Sequence, residues 1–137
     1  MIFKNGRYAM PIVDYAALPE FPMRDGITGK WIASRERGAG GVGVLANTVQ
    51  PGRSAPLHQH DHEEVILVEA GKIWVEIDRK ARQVATPGQC VIIPANAPHS
   101  WGCEGSETLR VLFIWNTPDP FAPGKSNYLE GAPPVVS

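Results

Sequence analysis

The sequence predicts an all-β fold, on three observations. Glycine and proline together supply 27 of the 137 residues, about one in five against an average nearer one in eight. Both are penalised inside helices, Gly by about 1 kcal/mol and Pro by about 3 kcal/mol, which argues against a helical bundle. Apolar residues make up 43% of the chain, too many for a disordered segment. From Gly41 onward, short β-rich runs recur with Gly or Pro turns between them, at the intervals of about 8–12 residues that mark a sandwich or barrel.

The length fits a single domain spanning 1–137 and is large enough to bury a core without disulfide staples. Residues 1–39 read as an extended N-terminal arm, interrupted by Gly and Pro, with Gly29 to Ser34 as its one strand. A helical signal in Asp14 to Leu18 is cut by Pro19 and Pro22. Such an arm covers a sheet edge, either its own or a partner's.

The core runs from about 40 to 118. Its expected strands are Val42 to Gln50, Ala55 to His60, Glu64 to Glu69, Lys72 to Asp78, Arg82 to Ala85, Gln89 to Ile93, His99 to Glu104 and Thr108 to Asn116. Turns fall at Pro51-Gly52, Ala70-Gly71, Arg79-Lys80 and Pro87-Gly88. The runs Val65 to Val68 and Val91 to Ile93 are apolar on both alternating faces. This predicts an outer face covered by another sheet or a second subunit. Residues 119–137, with Pro120, Pro123, Gly124, Pro133 and Pro134, read as an extended C-terminal tail.

Charge and targeting signals narrow the function. Thirteen basic and fourteen acidic residues, without runs of either sign, and a pI near 6.4 lack the basic stripe of a nucleic-acid binder. No apolar run is long enough to span a bilayer, and Met1 to Arg7 lacks the apolar core of a signal peptide. A cytoplasmic protein is the expectation. Cys90 and Cys103 lack CxxC spacing and read as ordinary small apolar residues in a reducing compartment.

The four histidines are the informative residues. Three lie in His58-Gln59-His60-Asp61-His62, and the fourth is His99. On a strand, residues i and i+2 share a face, so His58 and His60 project side by side. After a turn, Glu64 opens the next strand toward the same interior, and His99 can complete a cage from a later strand. Nitrogen and oxygen donors of this kind suit a borderline divalent metal.

The spacing of these residues resembles the cupin superfamily. Gly52, five residues, His58-x-His60, three residues, Glu64, six residues and Gly71 match the first cupin motif. Gly88, five residues and Pro94-x-Asn96-x-x-His99 match the second. Asn96 stands where the family usually has Gly, a mild change because Asn tolerates positive φ best after Gly. Cys103 stands where the pattern often has Asn. The resemblance covers about residues 40–118 and implies a double-stranded β-helix, or jelly-roll barrel, commonly a homodimer. It implies metal ligands His58, His60, Glu64 and His99 for an iron, manganese, nickel or zinc ion. His62 falls on the turn between ligand positions, as a rim or supporting residue and, with Glu64, a candidate for a catalytic role.

If His99 faces inward, Trp101 and Cys103 do too, and Trp101 forms a flat wall above the metal. On the last strand, Leu112 and Ile114 oppose Val111, Phe113 and Trp115, and periodicity does not choose the inward set. Phe113 is a candidate pocket residue from the second set. Asn47 and Arg110 are polar residues in apolar strands, Asn47 a candidate for the pocket and Arg110 for the surface. The expected pocket is mostly apolar and aromatic, suited to a small aromatic or keto-enol substrate. The leading function is a metal-dependent small-molecule enzyme with dioxygenase-like oxidoreductase chemistry. The alternatives are a metal-dependent isomerase, lyase or cyclase acting on a sugar acid or keto compound, and a non-catalytic ligand-binding or sensor module.

Overall fold

A computed structural model describes residues 12–137 in full and, nearer the N-terminus, the backbone of the strands Phe3–Lys4 (β1) and Arg7–Tyr8 (β2). The remaining strands are β3 (Phe21–Arg24), β4 (Ile27–Ala33), β5 (Gly43–Val49), β6 (Ser54–His60), β7 (Glu64–Ala70), β8 (Lys72–Ile77), β9 (Gln83–Ala85), β10 (Cys90–Ile93), β11 (His99–Glu104), β12 (Leu109–Trp115) and β13 (Ser126–Tyr128). The fold is all-β, as expected. The helical signal around Tyr15 yields only a 3-10 turn, Tyr15–Ala17, because the prolines that follow stop it.

Two antiparallel sheets enclose one core. One runs β10-β7-β12-β5-β4-β3, the other β13-β6-β11-β8-β9. Strict alternation sets the register. Along β5, Gly43, Leu45, Asn47 and Val49 are buried, and along β12 the buried set is Leu109, Val111, Phe113 and Trp115. The inward choice on the last strand is thereby settled, and Arg110 points out. From the other sheet, Ala55, Ile73, Val75 and Trp101 meet this set in the same core.

One expectation is corrected. The arm and tail are not mere flanks. β4 pairs with β5 and β3 with β4, extending the chain's own sheet, and β13 adds a strand beside β6. The sheets therefore draw on residues outside 40–118. The chain's own second sheet does not cover the outer apolar face, where Leu67 is 36% and Ile92 59% exposed, and of the two expected covers only a second subunit is left open. Among the described residues, no helix is long and apolar enough to cross a membrane.

Two turn positions hold the barrel beside its histidines. Asn96 adopts φ 65°, in the left-handed region where Asn ranks next to Gly, and its N–H donates to the His60 carbonyl at 2.7 Å. Gly71 has φ 73°, and a Cβ there would lie 2.6 Å from the Thr108 carbonyl oxygen. Gly71→Ala is expected to lose roughly 2–4 kcal/mol, because left-handed strain adds to a clash with fixed backbone. Urea unfolding checks this.

Candidate metal centre

Three imidazoles converge where β6 meets β11. His99 pairs in register with His58, and His60 follows on the same face of β6. One ring nitrogen from each of His58, His60 and His99 lies within 4.8 Å of the other two, and all three residues are buried. Glu64, at the start of β7, closes the group from the other sheet. Its Oε1 is 3.3 Å from His60 Nε2 and its Oε2 3.4 Å from His99 Nε2.

The ring tautomers follow from the Nδ1 partners. His58 Nδ1 is 2.6 Å from the Pro56 carbonyl and His99 Nδ1 2.9 Å from the Ala97 carbonyl. A carbonyl only accepts, so both Nδ1 atoms carry hydrogen. His60 Nδ1 is 2.6 Å from Ser126 Oγ, whose own hydroxyl donates to the Pro120 carbonyl at 2.7 Å. The serine hydrogen is thus committed, and His60 Nδ1 must donate to Ser126. All three rings are held with Nε2 toward the shared centre, the arrangement metal-binding histidines use. Trp115 Nε1 donates to Glu64 Oε1 at 2.8 Å and fixes the carboxylate.

The donor set fits a divalent ion on an observation independent of motif. His60 Nε2, His99 Nε2 and Glu64 Oε2 are sealed from solvent and have no hydrogen-bond partner. Native proteins rarely leave such atoms unsatisfied. The contacts between them are close but not aligned as hydrogen bonds. An ion among them would satisfy all three at once.

Electrostatics agree. Burial works against a charged Glu64, yet His60 and His99 outweigh it and hold the carboxyl well below its usual range. Burial, with His99 beside it, pushes His58 down to about 3, leaving that ring neutral. For His99, burial opposes the proton, but Glu64 prevails and raises the pKa above 6.5. The sign for pH dependence follows. In the metal-free protein, the His99–Glu64 attraction contributes fully below pH 6.5 and fades as pH rises through the elevated value. A metal must displace this proton, so binding releases it and tightens as pH rises through the same window. Metal titration calorimetry in buffers of different ionisation heat is expected to show that release.

A narrow, open-mouthed space of about 30 Å³ adjoins the centre; Asn47, His58, His60, Glu64, Trp101, Phe113, Trp115, Phe121 and Tyr128 line it. Phe113 stacks on Trp115 with ring centroids 5.7 Å apart and meets Trp101 in a tilted contact at 5.1 Å, forming one aromatic wall. Of the expected pocket residues, Asn47, Trp101 and Phe113 are present. Asn47 is nevertheless committed to structure: its Nδ2 contacts the Thr28 carbonyl at 3.1 Å and Met23 Sδ at 3.1 Å.

Cys103 does not line this space. It faces inward as periodicity required, but lies two pairs along β11 from Trp101 and donates to the Glu107 carbonyl at 3.1 Å; burial raises its pKa. His62 also stays outside. It stacks on His60 at 5.0 Å, and its Nδ1 contacts Asp61 at 2.9 Å. It lies in the turn after β6 against a ligand ring, and its Nε2 is likewise buried without a hydrogen-bond partner.

Sequence reasoning missed residues from the two flanks. Ser126 and Tyr128, on β13, touch His60 and His58; Tyr128 stacks on His58 at 4.8 Å, and burial pushes its phenol up to about 12. Phe121 packs edge-on against His60 at 6.2 Å. Arg24, on β3, also reaches the space. Nothing local marks these positions: Arg24, Ser126 and Tyr128 are brought in by long-range strand pairing, and Phe121 lies in the turn-rich stretch before β13.

Comparison with known proteins agrees with this geometry. The family model described as Cupin domain matches residues 47–115. The polyketide cyclase RemF of Streptomyces resistomycificus superposes with a TM-score of 0.74 at 20% identity, over 90% of this chain and 87% of that one. A cupin-like protein of Thermotoga maritima gives 0.67 at 23% identity, over 77% of each chain. Oxalate decarboxylase of Bacillus subtilis gives 0.71 at 18% identity over 84% of this chain, which spans only 31% of that longer one. These likenesses establish a shared fold.

Proposed function

The chain belongs to the cupin family, and from that premise we propose that it is a metal-dependent small-molecule enzyme with dioxygenase-like oxidoreductase chemistry. The observation that carries this reading is the trio of buried, unpartnered donor atoms on His60, His99 and Glu64 beside an aromatic-lined opening. His58, His60, Glu64 and His99 would hold an iron, manganese, nickel or zinc ion. Four protein donors leave room for small ligands on a five- or six-coordinate ion, which would supply Lewis-acid or one-electron redox chemistry to substrate oxygens.

The protein's own residues do the rest. Pro56, Ala97 and Ser126 orient the three rings through their Nδ1 hydrogens. Trp115 orients Glu64. Trp101, Phe113 and Trp115 keep the opening apolar, which excludes bulk water and favours an unsaturated or aromatic substrate body. His62 supports His60 and takes no direct catalytic part in this reading.

A second reading has one specific observation behind it. RemF matches this chain nearly end to end, and a cyclase needs a polarised carbonyl without dioxygen. One experiment separates the two. Protein loaded with iron(II), manganese(II), nickel(II) or zinc(II) is offered small aromatic diols and β-diketones, with oxygen uptake and product formation followed in air and under nitrogen. Oxygen uptake coupled to product supports the dioxygenase-like reading. Equal anaerobic turnover with zinc supports the cyclase or isomerase reading. Small molecules that bind and are always recovered unchanged contradict both and favour a binding module.

A further inference from the structure

We infer that the space beside the metal centre binds a small carboxylate, whose charge is taken by Arg24. Arg24 lies on β3, the edge strand contributed by the N-terminal arm. Its Nη1 donates to the Ala132 carbonyl at 2.7 Å, so the C-terminal tail holds the side chain in place. Its guanidinium carbon lies 5.2 Å from the centroid of the Tyr128 ring, a cation–π distance that further limits its movement. Its Nη2 is sealed from solvent and has no hydrogen-bond partner among the described residues.

The charge is as unsatisfied as the hydrogen bond. Arg35, Arg53 and Arg82 each pair with an acidic side chain, Asp119, Asp25 and Glu76 respectively. Arg24 forms no such pair among the described residues, and it is the one lysine or arginine lining the space. A guanidinium placed in a partly buried wall without a counter-anion is costly. It is well placed to receive one, because arginine is weakly hydrated and its planar fork matches a carboxylate. Glu64, the acidic residue on the same lining, lies instead against His60 and His99, at 3.3 and 3.4 Å. The aromatic wall then accommodates the body of the ligand, with its anionic end at Arg24. The reactive end would meet the metal centre, and only this last point rests on the metal-dependent reading proposed above.

Benzoate and its neutral isostere benzamide test the inference, with affinities measured by calorimetry on the full chain, both metal-free and manganese-loaded. Metal content is measured on the same samples. In metal-free protein, benzoate is expected to bind about 10- to 100-fold more tightly than benzamide, the range of a charge-assisted hydrogen bond. Arg24→Gln removes that preference, while Arg24→Lys keeps the charge and a reduced preference. Equal affinities in the native protein, or a preference that survives in R24Q, overturn the carboxylate site. If R24Q does not fold, the benzoate-to-benzamide comparison in the native protein still decides. Failure to bind manganese alongside an intact Arg24-dependent preference counts against the metal reading and leaves the carboxylate site standing.

Discussion

His99→Ala is expected to lower divalent-metal affinity by on the order of 100-fold or more, and to destabilise the protein even without metal. The first effect follows from loss of a ring-nitrogen donor that sits within 4.8 Å of those of His58 and His60; changes in residues that only orient such donors already cost about 10–100-fold. The second follows from Glu64, which is 1% exposed and faces His99 at 3.4 Å. Removing one member of a buried pair strands the other charge, at a cost of about 3–5 kcal/mol. Elemental analysis and thermal unfolding of the metal-free variant read the two effects separately. Glu64→Gln provides the contrast. It keeps the carbonyl that accepts from Trp115, so it is expected to lose metal with less damage to folding.

Removal of residues 119–137 is the second large effect. That segment supplies β13, the Ser126 acceptor for His60 and the Tyr128 ring over His58. It also supplies the Ala132 carbonyl to Arg24, the Val136 carbonyl to Trp31 Nε1 and the Val135 N–H to the Met23 carbonyl. At about 1 kcal/mol net for each hydrogen bond, the loss is on the order of 3 kcal/mol or more, a fall of roughly 10 °C in Tm for a domain of this size. Metal affinity is expected to drop about 10–100-fold, because His60 loses the partner that fixes its tautomer. Ser126→Ala isolates that last effect. It leaves β13 in place, so it is expected to lower metal affinity about 10-fold with little change in Tm. Metal titration followed by calorimetry and by thermal unfolding checks both variants.

The parts of this site that were legible in the sequence are those built from local spacing. His58 and His60 share a face because a strand has a period of two, and Glu64 and His99 open strands directly after turns marked by acidic, Gly, Pro or Asn residues. Asn96 shows the same logic, its side chain permitting the φ of 65° that the turn requires. The pairing of β3, β4 and β13 was not legible in full. β3 contains Pro22, β13 has only three residues, and both sit in turn-rich stretches where no hydrophobic alternation develops. Their placement depends on distant partners, with Ser126 opposite His60 and Phe21 opposite Gly29. Arg24, Ser126 and Tyr128 were therefore invisible as site residues. Cys103 shows the opposite limit: period two gave its inward direction but not its distance from the opening along β11.

The central claim is that His58, His60, Glu64 and His99 hold a divalent ion. Its most direct test is a titration of chelator-stripped protein with iron(II), manganese(II), nickel(II) and zinc(II), reading bound metal by elemental analysis and Tm in parallel. The account predicts a single bound ion per chain for at least one of these metals and a Tm that climbs with metal concentration, as linkage requires of a ligand selective for the folded state. It further predicts that His99→Ala moves both responses to metal concentrations on the order of 100-fold or more higher. No retained ion and an unchanged Tm with all four metals would contradict it.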